Sequence, residues 1–324
     1  MRIVFYGTPE FAVASLEALL ATEHEVVGVV TAPDKLGGRG GKRVLTSAVK
    51  GFAERHQLPL AQPTNLKSAA FAKTLRAWAP DLQVVVAFRM LPESVWALPS
   101  SGTVNVHGSL LPAYRGAAPI HWAVINGETE TGVTIFFLRH AIDTGNVLLQ
   151  APTNIDPDET TGEVYERLKG LGAETLVKAL GLIAAGQTTG TPQDDAKASH
   201  APKLTRDNTR MDWNRPARAL HNFVRGLNPY PSAWTRHGER DIKLMSTRII
   251  EPGFLGDAQL GLLSKAVGQF FTHKLYRDAP RELFVPAADG NYLVIESLKP
   301  AGARAMSGLD FFNGLRDGDP RHFT

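Results

Sequence analysis

Asn105, His107 and Ser109 occupy alternate positions in the run Thr103-Val104-Asn105-Val106-His107-Gly108-Ser109. Alternate side chains of an extended strand share a face, so an amide, an imidazole and, if the strand persists, a hydroxyl gather on one side. A lone histidine at a strand end ordinarily satisfies loop backbone, but three different polar groups on one face are harder to explain that way. Asp143, in Ala141-Ile142-Asp143-Thr144-Gly145, lies in a turn. An aspartate there caps its own backbone by default, and matters chemically only if the fold carries it to His107. A Ser109–His107–Asp143 hydrolase triad lacks the Gly-x-Ser-x-Gly elbow and sets the nucleophile too near its base in sequence. Acyl transfer to an external nucleophile is the preferred chemistry: imidazole and amide hold an oxyanion, and a carboxylate sets the imidazole charge and helps move a proton. His121 and His140 could be recruited to zinc, but no His-x-x-x-His spacing supports a metal site.

Such a face needs a sheet. Residues 3–6 read as a buried strand, and Gly7-Thr8-Pro9 leads into a helix over about 10–22 with Phe11, Leu16, Leu19 and Leu20 on its apolar side. Strands follow at 25–31, 82–88 and 102–107, interspersed with helices near 47–56 and 66–78 and a short apolar piece at 58–60. This alternation predicts a Rossmann-like α/β fold with a parallel sheet, whose ligands bind beyond the carboxyl ends of the strands. Gly7-Thr8-Pro9-Glu10-Phe11 is neither a dinucleotide fingerprint nor a phosphate loop, which removes NAD and ATP as default ligands. Strands at 132–138 and 147–150 flank the Asp143 turn, a long amphipathic helix covers about 160–185, and 186–201 reads as a linker. After a helix at 216–225 only strands remain, at about 233–236, 242–250, 269–275, 282–286 and 292–297, with a turn at Asp289-Gly290. They suggest an all-β barrel of the oligonucleotide-binding (OB-like) type. The expected domains are 1–188, catalytic, and 207–324, C-terminal, joined by a linker over 189–206.

With 324 residues the chain is long enough for two domains, and its lack of cysteine excludes disulfides, thiolate-bound zinc, iron–sulfur clusters and a cysteine nucleophile. The N-terminus lacks the long apolar region of a secretory signal and no apolar run reaches bilayer length, so the cytoplasm is the expected location and no membrane partner is expected. The net charge of +3 is unevenly spread: residues 1–206 hold 19 Lys/Arg and 19 Asp/Glu, residues 207–324 hold 16 and 13. Between Asp34 and Glu54 lie Lys35, Arg39, Lys42, Arg43 and Lys50 with no acid among them, partly within Gly37-Gly38-Arg39-Gly40-Gly41. A basic glycine-rich loop can grip phosphate or nucleic acid, although by itself such a run is more often plain solvated surface.

The run from Asn105 to Pro112, with Arg115-Gly116-Ala117-Ala118-Pro119-Ile120, Glu130-Thr131-Gly132-Val133-Thr134 and Asp143-Thr144-Gly145, resembles the formyltransferases that use 10-formyltetrahydrofolate. The resemblance extends over nearly the whole chain. Gly7-Thr8-Pro9-Glu10-Phe11-Ala12, Gly38-Arg39-Gly40-Gly41-Lys42-Arg43, Asn228-Pro229-Tyr230-Pro231, Ala233-Trp234, Pro300-Ala301-Gly302 and Ala305-Met306 are similar to the branch that formylates methionyl initiator tRNA. It implies Asn105, His107 and Asp143 as the catalytic set, and folate contacts by Ser109, Leu110, Leu111 and Pro112, with Phe88, Met90 and Leu91 beside them. It also implies tRNA contacts by Lys35, Arg39, Lys42 and Arg43, a C-terminal domain that holds the tRNA body, no metal, and a monomer. Phe88-Arg89-Met90-Leu91-Pro92 departs from the family's usual order, where glycine follows the aromatic residue; Ala141-Ile142 and Asn146 also depart from the usual Asp loop. The folate pocket's outline is therefore less defined than its catalytic face. The alternatives are a relative acting on an amino-sugar nucleotide or glycinamide ribonucleotide, and a non-enzymatic tRNA-binding protein, against which the intact Asn–His–Asp set speaks.

Overall fold

Runs of β-branched residues build the first sheet. In the computed structural model, which describes residues 1–37, 43–187, 189–251, 266–275 and 279–324, the chain up to residue 201 forms β1 (Arg2–Gly7), α1 (Glu10–Leu20), β2 (Glu25–Val30), β3 (Lys35–Gly37), β4 (Arg43–Leu45), α2 (Ala48–Arg55), β5 (Leu60–Ala61), α3 (Ala69–Trp78), β6 (Leu82–Val86), α4 (Glu93–Trp96), β7 (Thr103–His107), β8 (Arg115–Gly116), α5 (Pro119–Ile125), β9 (Glu130–Phe137), β10 (Val147–Asn154), α6 (Thr161–Ala184) and, after a 3-10 turn, β11 (His200–Ala201). Seven strands pair in the order β10-β9-β7-β6-β1-β2-β5. The five from β7 to β5 are parallel, while β9 runs antiparallel to β7 and β10 antiparallel to β9. The expected parallel α/β sheet is therefore present.

Local chemistry sets the element ends. Ser47 and Ser68 cap α2 and α3 by accepting from the amides of Lys50 and Phe71, which satisfies N–H groups that a helix start leaves without partners. β6 is buried along its whole length but stops at Val86, two residues short of the expected 88, because Ala87 takes a left-handed conformation with φ 48. The long helix α6 crosses the sheet with Gly172 close to Val106 of β7 and Val133 of β9: a Cβ there would lie 3.2 Å from Val106.

The chain forms two compact units. Unit 1 comprises Met1–Pro119, Glu130–Asn154 and Tyr165–Ala201, and unit 2 comprises Ile120–Thr129, Ile155–Val164 and Pro202–Thr324. The stretch 186–201, read from composition as linker, includes β11, which pairs in parallel with β8 inside unit 1.

In unit 2, α7 (Ala217–Gly226) precedes β12 (Ala233–His237), β13 (Arg240–Ile250), β14 (Phe271–Lys274), β15 (Arg281–Pro286), β16 (Tyr292–Pro300) and β17 (Met306–Ser307), and α8 (Gly308–Asn313) follows. The five strands expected for the all-β domain are all found, joined antiparallel in the order β12-β13-β16-β15-β14, with β17 beside β16. Leu220, Phe223 and Val224 of α7 belong to one core with Leu244, Leu293, Ile295, Leu298, Phe270 and Phe323.

Burial of His221 on α7 pushes its imidazole below the usual range; the Asp158 carboxylate opposes the shift, and Arg225 and Arg218 reinforce it. Its Nδ1 lies 3.1 Å from Thr247 Oγ1. Nε2 lies 3.2 Å from Asp158 Oδ1 without hydrogen-bond alignment, so that pair is a charge contact only. His121 is lowered in the same direction by burial, against a hydrogen bond to the Tyr230 carbonyl. When folding lowers a histidine's affinity for protons, acid favours the unfolded chain, so this part of the stability is present above the unfolded value of about 6.5 and fades as the pH falls through the folded one. The unfolding midpoint is therefore expected to fall between about pH 7 and pH 5, with a shallower fall in His221→Gln; equal slopes in the two proteins would exclude His221 as a source.

Candidate active site

Asn105 and His107 sit two residues apart at the carboxyl end of β7, between β6 and β9, and share a face of the strand. His107 is 6% exposed, with the Phe136 ring edge-on at 6.4 Å. Its Nε2 lies 2.9 Å from the Tyr114 carbonyl oxygen, which can only accept, so this nitrogen carries a proton. Its Nδ1 faces Asp143 Oδ2 at 3.8 Å, a charge contact longer than a hydrogen bond. The half-buried Asn105 amide has no hydrogen-bond partner among the described residues and is available to a ligand.

Two left-handed residues produce this convergence. Tyr114, at φ 61, ends the loop after the cis Leu111-Pro112 bond and aims its carbonyl at His107. Asp143, at φ 54, lies in the turn between β9 and β10, and its Oδ2 accepts from the Gly116 amide at 2.9 Å. Non-glycine residues in this region cost backbone strain and concentrate at functional sites. The turn that an isolated reading assigns to local capping thus brings its carboxylate to the imidazole.

The strand does not persist to Ser109. That residue is buried, and its hydroxyl donates to the Ala113 carbonyl at 2.6 Å. The hydroxyl supports the loop and does not approach His107 as a triad serine would. Thr134 fastens the same loop, donating to Ser109 O at 2.7 Å and accepting from the Leu111 amide at 3.0 Å. Of the other expected folate neighbours, Leu111 and Leu91 are buried in the protein, Leu110, Pro112 and Phe88 are half-buried, and Met90 is 69% exposed. Arg89, the departure noted in the sequence, donates to the carbonyls of Pro63 and Thr64.

Sequence reading missed Gln193 and Arg115 as parts of this site. Gln193 Nε2 donates to the carbonyls of Asp143 and Gly145 at 2.9 and 2.8 Å, and its Oε1 accepts from Arg115 Nε and Nη2 at 3.0 and 2.7 Å. Buried Arg115 also reaches Asp195 at 2.7 Å. One amide therefore bridges the carboxylate-bearing turn and the loop bearing Arg115. Gln193→Ala removes four hydrogen bonds and leaves a buried guanidinium short of an acceptor. It is expected to lower kcat about tenfold, with a smaller change in KM. Steady-state kinetics decide this, and an unchanged kcat would show that Asp143 holds its position without Gln193.

Among the expected tRNA-contact residues, Lys35 and Arg43 are exposed on the paired antiparallel strands β3 and β4, while Arg39 and Lys42 lie outside the described residues. Lys50 pairs with Asp34, which withdraws it from the free positive charge of this stretch. No group of three or more His, Asp or Glu residues suited to a metal occurs among the described residues. No helix there is long and apolar enough to cross a membrane.

A family model described as "Formyl transferase" matches residues 1–180, and one described as "Formyl transferase, C-terminal domain" matches residues 203–316. A curated relative from Parabacteroides distasonis, named methionyl-tRNA formyltransferase, is 45% identical over 322 residues, covering 98% of this chain and 96% of its own. Among solved structures, HypX from Aquifex aeolicus in complex with tetrahydrofolic acid superposes with a TM-score of 0.63 at 17% identity over 98% of this chain, which spans 48% of the HypX chain. WlaRD, a sugar 3N-formyl transferase, superposes with a TM-score of 0.64 at 16% identity, over 94% of this chain and 99% of its own. Both structural likenesses describe the fold.

Proposed function

The chain belongs to the formyl transferase family, and from that premise we propose that it transfers the formyl group of 10-formyltetrahydrofolate to the α-amino group of methionyl initiator tRNA. The observation that carries the choice of acceptor is the 45% identity with a named methionyl-tRNA formyltransferase along 98% of the chain, the C-terminal half included. The fold alone does not separate acceptors, since a sugar formyltransferase shares it.

In the proposed reaction the neutral α-amine attacks the formyl carbon and forms a tetrahedral oxyanion. The new C–N bond persists, the bond from carbon to N10 of the folate breaks, and the proton lost by the amine is balanced by one gained at N10. The free Asn105 amide donates to the oxyanion. The Tyr114 carbonyl and the Asp143 carboxylate flank the two ring nitrogens of His107 and orient the ring. For His107 to reach the oxyanion, one ring N–H exchanges its present acceptor for substrate, consistent with catalytic hydrogen bonds that tighten only in the complex. Asp143 orients the ring and assists proton movement. Neither a thiol nor a metal is required, and holding two substrates together supplies much of the acceleration.

Ser109, Leu110, Leu111, Pro112, Phe88, Met90 and Leu91 are proposed to line the folate site. Lys35, Arg39, Lys42 and Arg43 are proposed to hold the acceptor end of the tRNA, and the segment from 207 onward its body, with 1–188 catalytic and 189–206 connecting them. A cytoplasmic monomer suits these roles. The deciding assay offers 10-formyltetrahydrofolate with methionylated initiator tRNA, elongator tRNA or amino-sugar nucleotides. Formylation of initiator methionyl-tRNA is expected; formylation of a sugar nucleotide alone would replace this reading with the alternative.

A further inference from the structure

One face of unit 2 combines features of a nucleotide platform. Across β12, β13 and β16, Ala233, Leu244 and Leu298 form one cross-strand row and are all buried. The adjacent row is Trp234, Lys243 and Lys299, and side-chain alternation turns it to the opposite face of the sheet. Lys243 and Lys299 are thus directly opposed on paired antiparallel strands, an arrangement that repels unless an anion lies between them. Neither forms an ion pair with any described residue; Lys243 Nζ donates to the Pro231 carbonyl at 2.8 Å.

Beside this row the chain is tied in place while one ring stays in solvent. Asn228 donates to the Met245 carbonyl, Ser232 Oγ to the Pro229 carbonyl at 3.1 Å, and His121 Nε2 lies 3.1 Å from the Tyr230 carbonyl. Tyr230 itself is 77% exposed. Tyr230, Lys243 and Lys299 line a cavity of about 550 Å³ together with Thr205, Arg206 and Trp234. Asp241, the acid of the cavity, is engaged by Arg206 and Arg236. An exposed aromatic ring on a tied backbone, lining one cavity with two opposed cations, matches the two parts of a nucleotide: a π-face for the base and paired positive charge for the phosphate.

We propose that this face holds one unpaired nucleotide of the tRNA substrate, its base stacked on Tyr230 and its phosphate between Lys243 and Lys299. The proposal rests on the tRNA reading above. Single-stranded RNA fits it because a base must be unstacked from its neighbours to use such a ring.

The test measures equilibrium binding of methionyl initiator tRNA to the full-length protein over a series of KCl concentrations, alongside formylation by the wild type. Tyr230→Leu is expected to weaken binding about tenfold, and Tyr230→Phe, which keeps the ring, to stay within about twofold of wild type. Replacing Lys243 and Lys299 together by Gln is expected to reduce the slope of log affinity against log salt by about 0.7, the value of one phosphate contact on a single strand. Unfolding midpoints equal to wild type confirm that the variants are folded, as an exposed ring and exposed lysines should allow. Wild-type binding by Tyr230→Leu, equal weakening by Tyr230→Phe, or an unchanged salt slope when Lys243 and Lys299 are both replaced by Gln would each overturn the proposal. A wild-type protein that binds methionyl-tRNA without formylating it would overturn the functional reading instead, and the variants would still decide the role of this face.

Discussion

Alanine in place of His107 is expected to lower formyl transfer by about 10²–10⁴-fold, the range seen when a positioned acid or oxyanion donor is lost. The imidazole meets both the Tyr114 carbonyl and the Asp143 carboxylate. Removing it takes away the proposed proton donor and leaves the carboxylate, still held by the Gly116 amide, without the ring it faces. Binding should change far less, because the surfaces proposed for folate and tRNA lie on other residues. Single-turnover formylation beside equilibrium binding of each substrate separates the two effects. His107→Gln sharpens the test: it keeps an N–H for the Tyr114 carbonyl but cannot become an imidazolium, so it should restore stability and not rate. A rate within about tenfold of wild type in either variant would remove His107 from the chemistry.

Gly145→Ala is expected to impair both folding and turnover. A Cβ at this position would lie 1.5 Å from the Phe137 carbonyl oxygen and 2.8 Å from its carbon, with the Phe136 ring at 3.2 Å. The obstacle is backbone, so no rotamer relieves it. The β9–β10 turn must open, which threatens the Phe137 N–H to Asn146 O bond and the Gln193 bonds to the carbonyls of Asp143 and Gly145. Overpacking of this kind costs about 3 kcal/mol, or an unfolding midpoint lower by about 6–12 °C. Displacing Asp143 by about 1 Å would lower kcat a further ~10²-fold. Thermal unfolding and kinetics measure the two losses; a variant that melts and turns over like the wild type would show that the turn has room to rearrange.

The sheet was legible because burial on both faces leaves continuous valine runs, as at Leu82–Val86, and because Ser47 and Ser68 stand where helices start. The Asn105–His107 pair was legible from the two-residue period alone. Asp143 was not: its approach to His107 depends on the antiparallel register of β9 and β10 and on a left-handed backbone, neither of which a local pattern encodes. The halt of β6 at Ala87 escaped for a similar reason, since alanine carries no signal for positive φ. Gln193 lies in a stretch without periodicity, and its bond to Arg115 spans 78 residues of chain. Family resemblance implied the roles proposed for Asn105, His107 and Asp143, and the geometry supplied the residues that hold His107 and Asp143 in place.

The interleaving of the two units has a consequence for protein engineering. The chain passes between them five times, so neither is a contiguous cassette. Ile120–Thr129 and Ile155–Val164 arise before residue 165 but find their partners beyond residue 201: Thr161 Oγ1 donates to the Gly226 carbonyl at 2.7 Å, and Gly226 is packed so closely on Ile125 that a Cβ would meet it at 2.5 Å. A chimera meant to exchange acceptor preference between relatives must therefore graft three segments together. A single crossover near residue 200 would join mismatched halves of one hydrophobic core.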